Sequence, residues 1–139
     1  MIKLCYKEYP YKLTLGADKA FRDQTGLDLQ TVFMDYIAVC HKTTGMELME
    51  RLVFFSKLYT RDIASKALHA VIYAKDESVP LAEIEDATFR VSWMQTKRID
   101  GMSEPWPMVM LDTALLINNY IADNINVKKP DTLADTKAS

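Results

Sequence analysis

The apolar residues of this chain change their spacing once, early, at Leu15-Gly16. Before that point Ile2, Leu4 and Tyr6 alternate with Lys3 and Cys5, and Tyr9, Tyr11, Leu13 and Leu15 alternate with Pro10, Lys12 and Thr14. Period-two spacing over both segments predicts two strands with one apolar face each. After Gly16 the apolar residues recur every three or four positions, a spacing that only a helix gathers onto one face. The pattern therefore predicts a mainly α fold, with a small N-terminal β-hairpin followed by about five to six helices. Lys7-Glu8 would be the turn of the hairpin, although it is not a favoured turn pair. Pro10 cannot donate to a ladder and demands a free edge in the second strand. A lone hairpin is marginal in water, so its face must rest on the helices or its edge must meet another chain.

The helices are delimited by their caps. Ala17, Ala20 and Phe21 mark a first amphipathic helix that Thr25-Gly26 stops. Asp28 is a fair N-cap for a second, whose stripe is Leu29, Val32, Phe33, Tyr36, Ile37 and Cys40, ending on His41-Lys42 and the break Thr43-Thr44-Gly45. A third, over about 46–59, has Met49, Leu52 and Val53 on one face, with Ser56 a candidate fourth member, widened by Leu48, Phe55 and Leu58, with Phe54 outside it. That is more apolar surface than a core in a small protein uses. A fourth opens at Thr60 or Arg61 and repeats Ile63, Ala67, Ala70, Val71 and Ala74, small residues that suit close helix approach. After an acidic loop at 75–78, Pro80 suits the first turn of a fifth helix with stripe Leu81, Ile84, Ala87 or Thr88, and Val91. Gly101, Ser103, Pro105 and Pro107 predict an irregular connection over 96–106. The last helix runs from near Pro107 to about Asn124 on Met110, Ala114, Ile117 and Ile121. The reading is one domain over 1–126 and a flexible tail over 127–139, where Leu133 is the one large apolar residue after Lys128-Lys129-Pro130.

Composition narrows the function. A net charge of −2 and a pI near 5.7, with no basic stripe, give no nucleic-acid surface. The longest apolar runs, such as 52–55 and 114–117, are far too short to cross a bilayer, and the start lacks the apolar segment of a signal peptide, so a cytoplasmic location and no membrane partner are expected. Cys5 and Cys40, far apart and outside any C-x-x-C pair, read as small buried hydrophobes in a reducing compartment.

Catalytic chemistry finds no foothold. His41 and His69 lie outside any H-E-x-x-H or Cys-adjacent ligand spacing. Glu83, Glu85 and Asp86 are explained as a solvated acidic first turn. No P-loop, dinucleotide fingerprint, nucleophile elbow or Cys with a paired His is present. A non-enzyme with no cofactor and no metal is the expectation. Aromatic and Met residues on the third helix and around the 93–108 connection suit partner contact instead. The candidate interface residues are Phe54, Phe55, Tyr59, Trp93 and Trp106.

Local phrases add a family. Tyr11-Lys12-Leu13-Thr14-Leu15-Gly16, followed by Ala20-Phe21 and by Thr25-Gly26-Leu27-Asp28-Leu29, resembles the opening of the tail assembly chaperones of long, non-contractile-tailed bacteriophages. Residues 63–74, ending in Tyr73-Ala74 before an acidic loop, are similar to the central helix of that family. Ser78-Val79-Pro80-Leu81-Ala82-Glu83 is similar to the capped acidic helix start after it. The resemblance spans residues 9–91; the connection and the last helix match nothing in it. It implies a helical, non-enzymatic protein that self-associates as a homo-oligomer, in an open or spiral assembly. Such proteins coat the tape measure protein, help recruit tail tube protein, act in the host cell cytoplasm and are absent from the mature virion. Many occur in a short and a frameshifted longer form, and a flexible tail would suit such a junction. Two other classes stay open on the residues alone: a small dimeric helical adaptor or regulator, and an enzyme built around His69.

Overall fold

The computed structural model describes residues 1–5, 7–92 and 105–133, without the side chains of 91, 92 and 120–133. Among the described residues the order is β1 (Ile2–Leu4), β2 (Lys7–Tyr9), α1 (Leu15–Thr25), α2 (Leu29–Lys42), α3 (Leu48–Ser56), α4 (Arg61–Tyr73), α5 (Leu81–Ser92) and α6 (Trp106–Leu133). The mainly helical architecture with an N-terminal antiparallel hairpin is the one the period change predicts.

The hairpin is shorter than the alternation implies and turns earlier. Ile2 pairs with Tyr9 and Leu4 with Lys7, so Lys7-Glu8 belong to the second strand and the chain turns before them, from Cys5. Cys5 takes the left-handed conformation there, at φ 51°. Residues opposite one another in an antiparallel pair share a face. Ile2, Leu4 and Tyr9 therefore go into the core together, while Lys7 reaches out along the same side. Residues 11–14 remain extended but leave the ladder: the Lys12 amide donates to the Val71 carbonyl at 2.8 Å, tying this segment to α4.

The helix ends follow the cap chemistry. Thr14 Oγ1 accepts from the Ala17 amide (3.0 Å), Asp28 Oδ2 from Thr31 (3.1 Å) and Thr60 Oγ1 from Ile63 (3.2 Å). Each bond satisfies one of the orphan donors of a first turn. Gly26 closes α1 at φ 74°, where its amide donates to the Arg22 carbonyl. The following corner is fastened by Asp18, whose carboxylate accepts from the Leu29 amide at 2.9 Å.

The core lies where α6 meets α2, α3, α4, α5 and β1. Val109, Met110, Leu111, Ala114 and Ile117 of α6 pack there with Leu29, Val32, Phe33 and Tyr36 of α2. Ala64, Ala67, Leu68, Val71 and Ile72 supply the face of α4, whose small residues let α1 and α5 approach. The α6 backbone stays helical to Leu133, beyond the expected end near Asn124. Once a helix is nucleated, each added residue gains a hydrogen bond without needing an apolar contact, so the helix can outrun its apolar stripe. Of the expected flexible tail, residues 127–133 have helical backbone, and 134–139 lie outside the described residues.

Candidate interaction surface

The surface is built by α3, the shortest helix, nine residues long. It starts at Glu47 without a side-chain cap, carries Glu50 in its first turn and unwinds at Lys57. Of its residues only Phe55 is buried. Leu48 is 62% exposed, Met49 58%, and Val53 and Phe54 50% each. Four large apolar side chains are exposed on this short element, Met49 and Val53 on the side that meets the start of α6, and Leu48 and Phe54 on other sides of the helix. Isolated exposed hydrophobes are ordinary, whereas exposed apolar surface concentrated on one short helix is a feature of contact surfaces.

Beside Met49 and Val53 runs a groove of about 250 Å³. One wall is Met49, Leu52, Val53 and Ser56, spaced to share a side of α3; the other is Pro105, Trp106 and Pro107 at the start of α6. Among the described residues no charged side chain lines it. Chemically it offers burial and shape to an apolar side chain, and no acid, base or nucleophile beyond the Ser56 hydroxyl, which donates to the Val53 carbonyl at 2.9 Å.

The expected interface residues divide. Phe54 faces outward as anticipated. Phe55 does not: it is fully buried, stacked on Tyr36 with ring centres 6.3 Å apart and planes 15° apart, and it belongs to the core. Neighbouring helix positions are about 100° apart, so two consecutive Phe cannot both face the same way. Tyr59 is half-buried, and its hydroxyl donates to the Asp35 carboxylate. Burial, and then that bond, push its own ionisation up to about 12. Trp106 is largely buried, lending only an edge to the groove. Trp93 lies outside the described residues.

Two features beneath and beside α3, one a fastening and one a stranded group, carry no sequence signature. Arg51 lies over the Phe55 ring, 5.9 Å from its centre, and reaches back to the end of α2. Its Nε donates to Thr43 Oγ1 at 3.0 Å and its guanidinium to the Cys40 carbonyl at 3.2 Å. The Tyr36 hydroxyl is buried without a hydrogen-bond partner, and burial pushes its ionisation well above the usual tyrosine range. Both depend on which helices meet, which spacing along one helix does not reveal.

The residues weighed for catalysis are scattered. His41 sits exposed at the end of α2. A ring nitrogen of His69, Nε2, lies 2.9 Å from the Val79 carbonyl, and its ring leans on Tyr73 at 5.2 Å. A carbonyl only accepts, so Nε2 carries the proton. His69 also borders a groove of about 570 Å³ between α1 and α4, with Lys66 and Glu77 at its rim. Among the described residues no three His, Cys, Asp or Glu side chains gather as metal ligands. The acidic run on α5 is not uniformly a solvated face. Glu83 accepts from the Tyr9 hydroxyl at 2.6 Å and from Lys7 at 3.0 Å, fastening the hairpin to α5. Those two bonds hold its carboxyl below the ordinary value. Asp86 pairs with Arg90 at 2.6 Å. Cys5 and Cys40 are free and half-buried, so neither is the fully enclosed hydrophobe expected. No helix among the described residues is long and apolar enough to cross a membrane.

Comparison with protein-family models, with curated proteins and with solved structures finds no match to this chain.

Proposed function

We propose that the protein is a tail assembly chaperone of a long-tailed bacteriophage, working by apolar contact and not by catalysis. The observation that carries this reading is the exposed apolar surface of α3: Leu48, Met49, Val53 and Phe54 all stand out from one short helix, and Met49 and Val53 line a groove with no charged side chain among its described residues. An elongated, apolar helical client such as a tape measure protein needs repeated apolar contacts to stay dissolved. Copies arranged head to tail supply them, because a heterologous interface need not close. In this reading the partners are further copies of the chain, the tape measure protein and the tail tube protein. The place of action is the host cytoplasm during assembly, and the finished virion lacks the protein.

The test is co-expression with the tape measure protein encoded in the same tail gene module. The expected result is a client that is soluble with the chain and insoluble without it. Binding should show a negative heat-capacity change and weak salt dependence, as apolar burial does. A client whose solubility ignores the chain rejects the proposal. His69→Ala is expected to leave the activity intact, since no proton moves; a large loss in a folded variant would favour an enzyme instead.

A further inference from the structure

We propose that α3 is a hinged flap, which swings off the body as a unit without unfolding the rest of the chain and thereby releases Phe55 and uncovers Tyr36. The attachments of α3 are few. Phe55 is the one buried side chain it contributes, whereas α4, next in the chain, buries six residues. Local opening is drawn from segments with little buried apolar contact, and α3 is such a segment. Among the described residues its polar fastenings are two: the Arg51 clasp on Cys40 and Thr43 before the helix, and the Tyr59 hydroxyl on Asp35 after it.

The connections on each side can bend. Before α3, Gly45 takes φ 93° in the turn after Thr43. After it, residues 57–59 form a loose turn closed by amide bonds of 3.3 Å from Lys57 and Leu58 to Phe54 and Phe55. Residues at element ends are the usual places where a hinge absorbs its dihedral change.

The closed position also carries its own penalty. Phe55 and Tyr59 are aromatic neighbours of Tyr36, with ring centres at 6.3 and 6.2 Å, and the Tyr36 hydroxyl is buried with no partner. A buried hydroxyl in that state bears its full desolvation cost, which is recovered when water reaches it. Lifting Phe55 and Tyr59 together lets water in. The same motion that exposes one apolar ring thus hydrates one stranded polar group, and the two effects oppose each other. In the open form Phe55 joins Leu48, Met49 and Val53 on a detached apolar helix. That a client engages this open form rests on the chaperone reading; the opening itself does not.

Native-state hydrogen exchange on the full chain without any client tests the flap. The amides of 52–56 are expected to exchange through an opening at least about tenfold more accessible than the one that frees the amides of 67–72 in α4. Phe21→Leu, a core change on α1 outside the flap, should speed the α4 amides and leave those of α3 unchanged. Tyr36→Phe removes the stranded hydroxyl and should slow the α3 amides by roughly 5- to 100-fold, the range such a group commands. Tyr59→Phe should speed them by cutting a fastening. The proposal is overturned if α3 and α4 exchange together, if Phe21→Leu accelerates both alike, or if Tyr36→Phe slows α4 and leaves α3 as it was. A flap that opens in a chain that solubilises no client would reject the function and keep the device.

Discussion

Replacing Phe54 and Phe55 one at a time separates the body of the protein from its surface. Phe55 has no exposed area; it stacks on Tyr36, and the Arg51 guanidinium lies over its ring. Truncating a buried Phe to Ala costs about 3–5 kcal/mol, transfer and residual cavity together. Against a total stability of about 5–15 kcal/mol, that is a large share. For a chain of this length it corresponds to a fall in Tm of roughly 10–15 °C. Phe54 keeps half its surface in water in the folded chain, so Phe54→Ala should stay within about 0.5 kcal/mol, as exposed substitutions do. The order reverses for association. If Phe54 anchors a contact, its loss weakens binding by about 2 kcal/mol or more, near 30-fold. Urea unfolding followed by circular dichroism measures the first quantity, and light scattering against concentration, with client capture, the second. Equal destabilisation by both variants would refute the assignment of Phe55 to the core and Phe54 to the surface. A Phe54→Ala chain that assembles and captures client unchanged would remove Phe54 from the interface.

Two further outcomes follow from single residues. Gly26→Ala meets no atom within 4 Å, so its whole effect comes from holding a side chain at φ 74°; the expected loss is about 1–2 kcal/mol by urea unfolding, with α1 still formed. The Glu83 carboxyl is depressed first by the Tyr9 hydroxyl and then by Lys7, so its contribution is present above the ordinary value of 4.5 and lost as pH falls through the lowered folded value. The urea midpoint should therefore drop on acidification below that point more steeply in the native chain than in Glu83→Gln; parallel curves would show that Glu83 does not hold the hairpin.

What the sequence determined is whatever depends on a single element. The stripe Leu29, Val32, Phe33 and Tyr36 faces the core as its spacing requires, because the period of a helix is fixed by backbone geometry before any packing occurs. Asp28, Thr60 and Gly26 bound helices where they stand because a cap is a bond between neighbours three or four positions apart, whereas Thr14, read as a strand residue, turned out to cap α1. The outward excess on α3 was legible too, as apolar residues spread over too much of its circumference. The spacing also set Phe55 on the helix's apolar side and Phe54 off it; that Phe55 is wholly enclosed rather than part of a contact surface was decided by Tyr36 on α2, against which it stacks. The hairpin register had the same ambiguity. Alternation is preserved when a turn slides by two residues, so the pattern admitted a turn at Lys7-Glu8 as readily as the earlier one. The bonds of Tyr9 and Lys7 to Glu83, and of Lys12 to Val71, are made to residues more than fifty positions away and belong to the observed register. Contacts of that kind, like the Arg51 clasp and the stranded Tyr36 hydroxyl, exist only once the helices have met, because they depend on distances in space that no local spacing encodes.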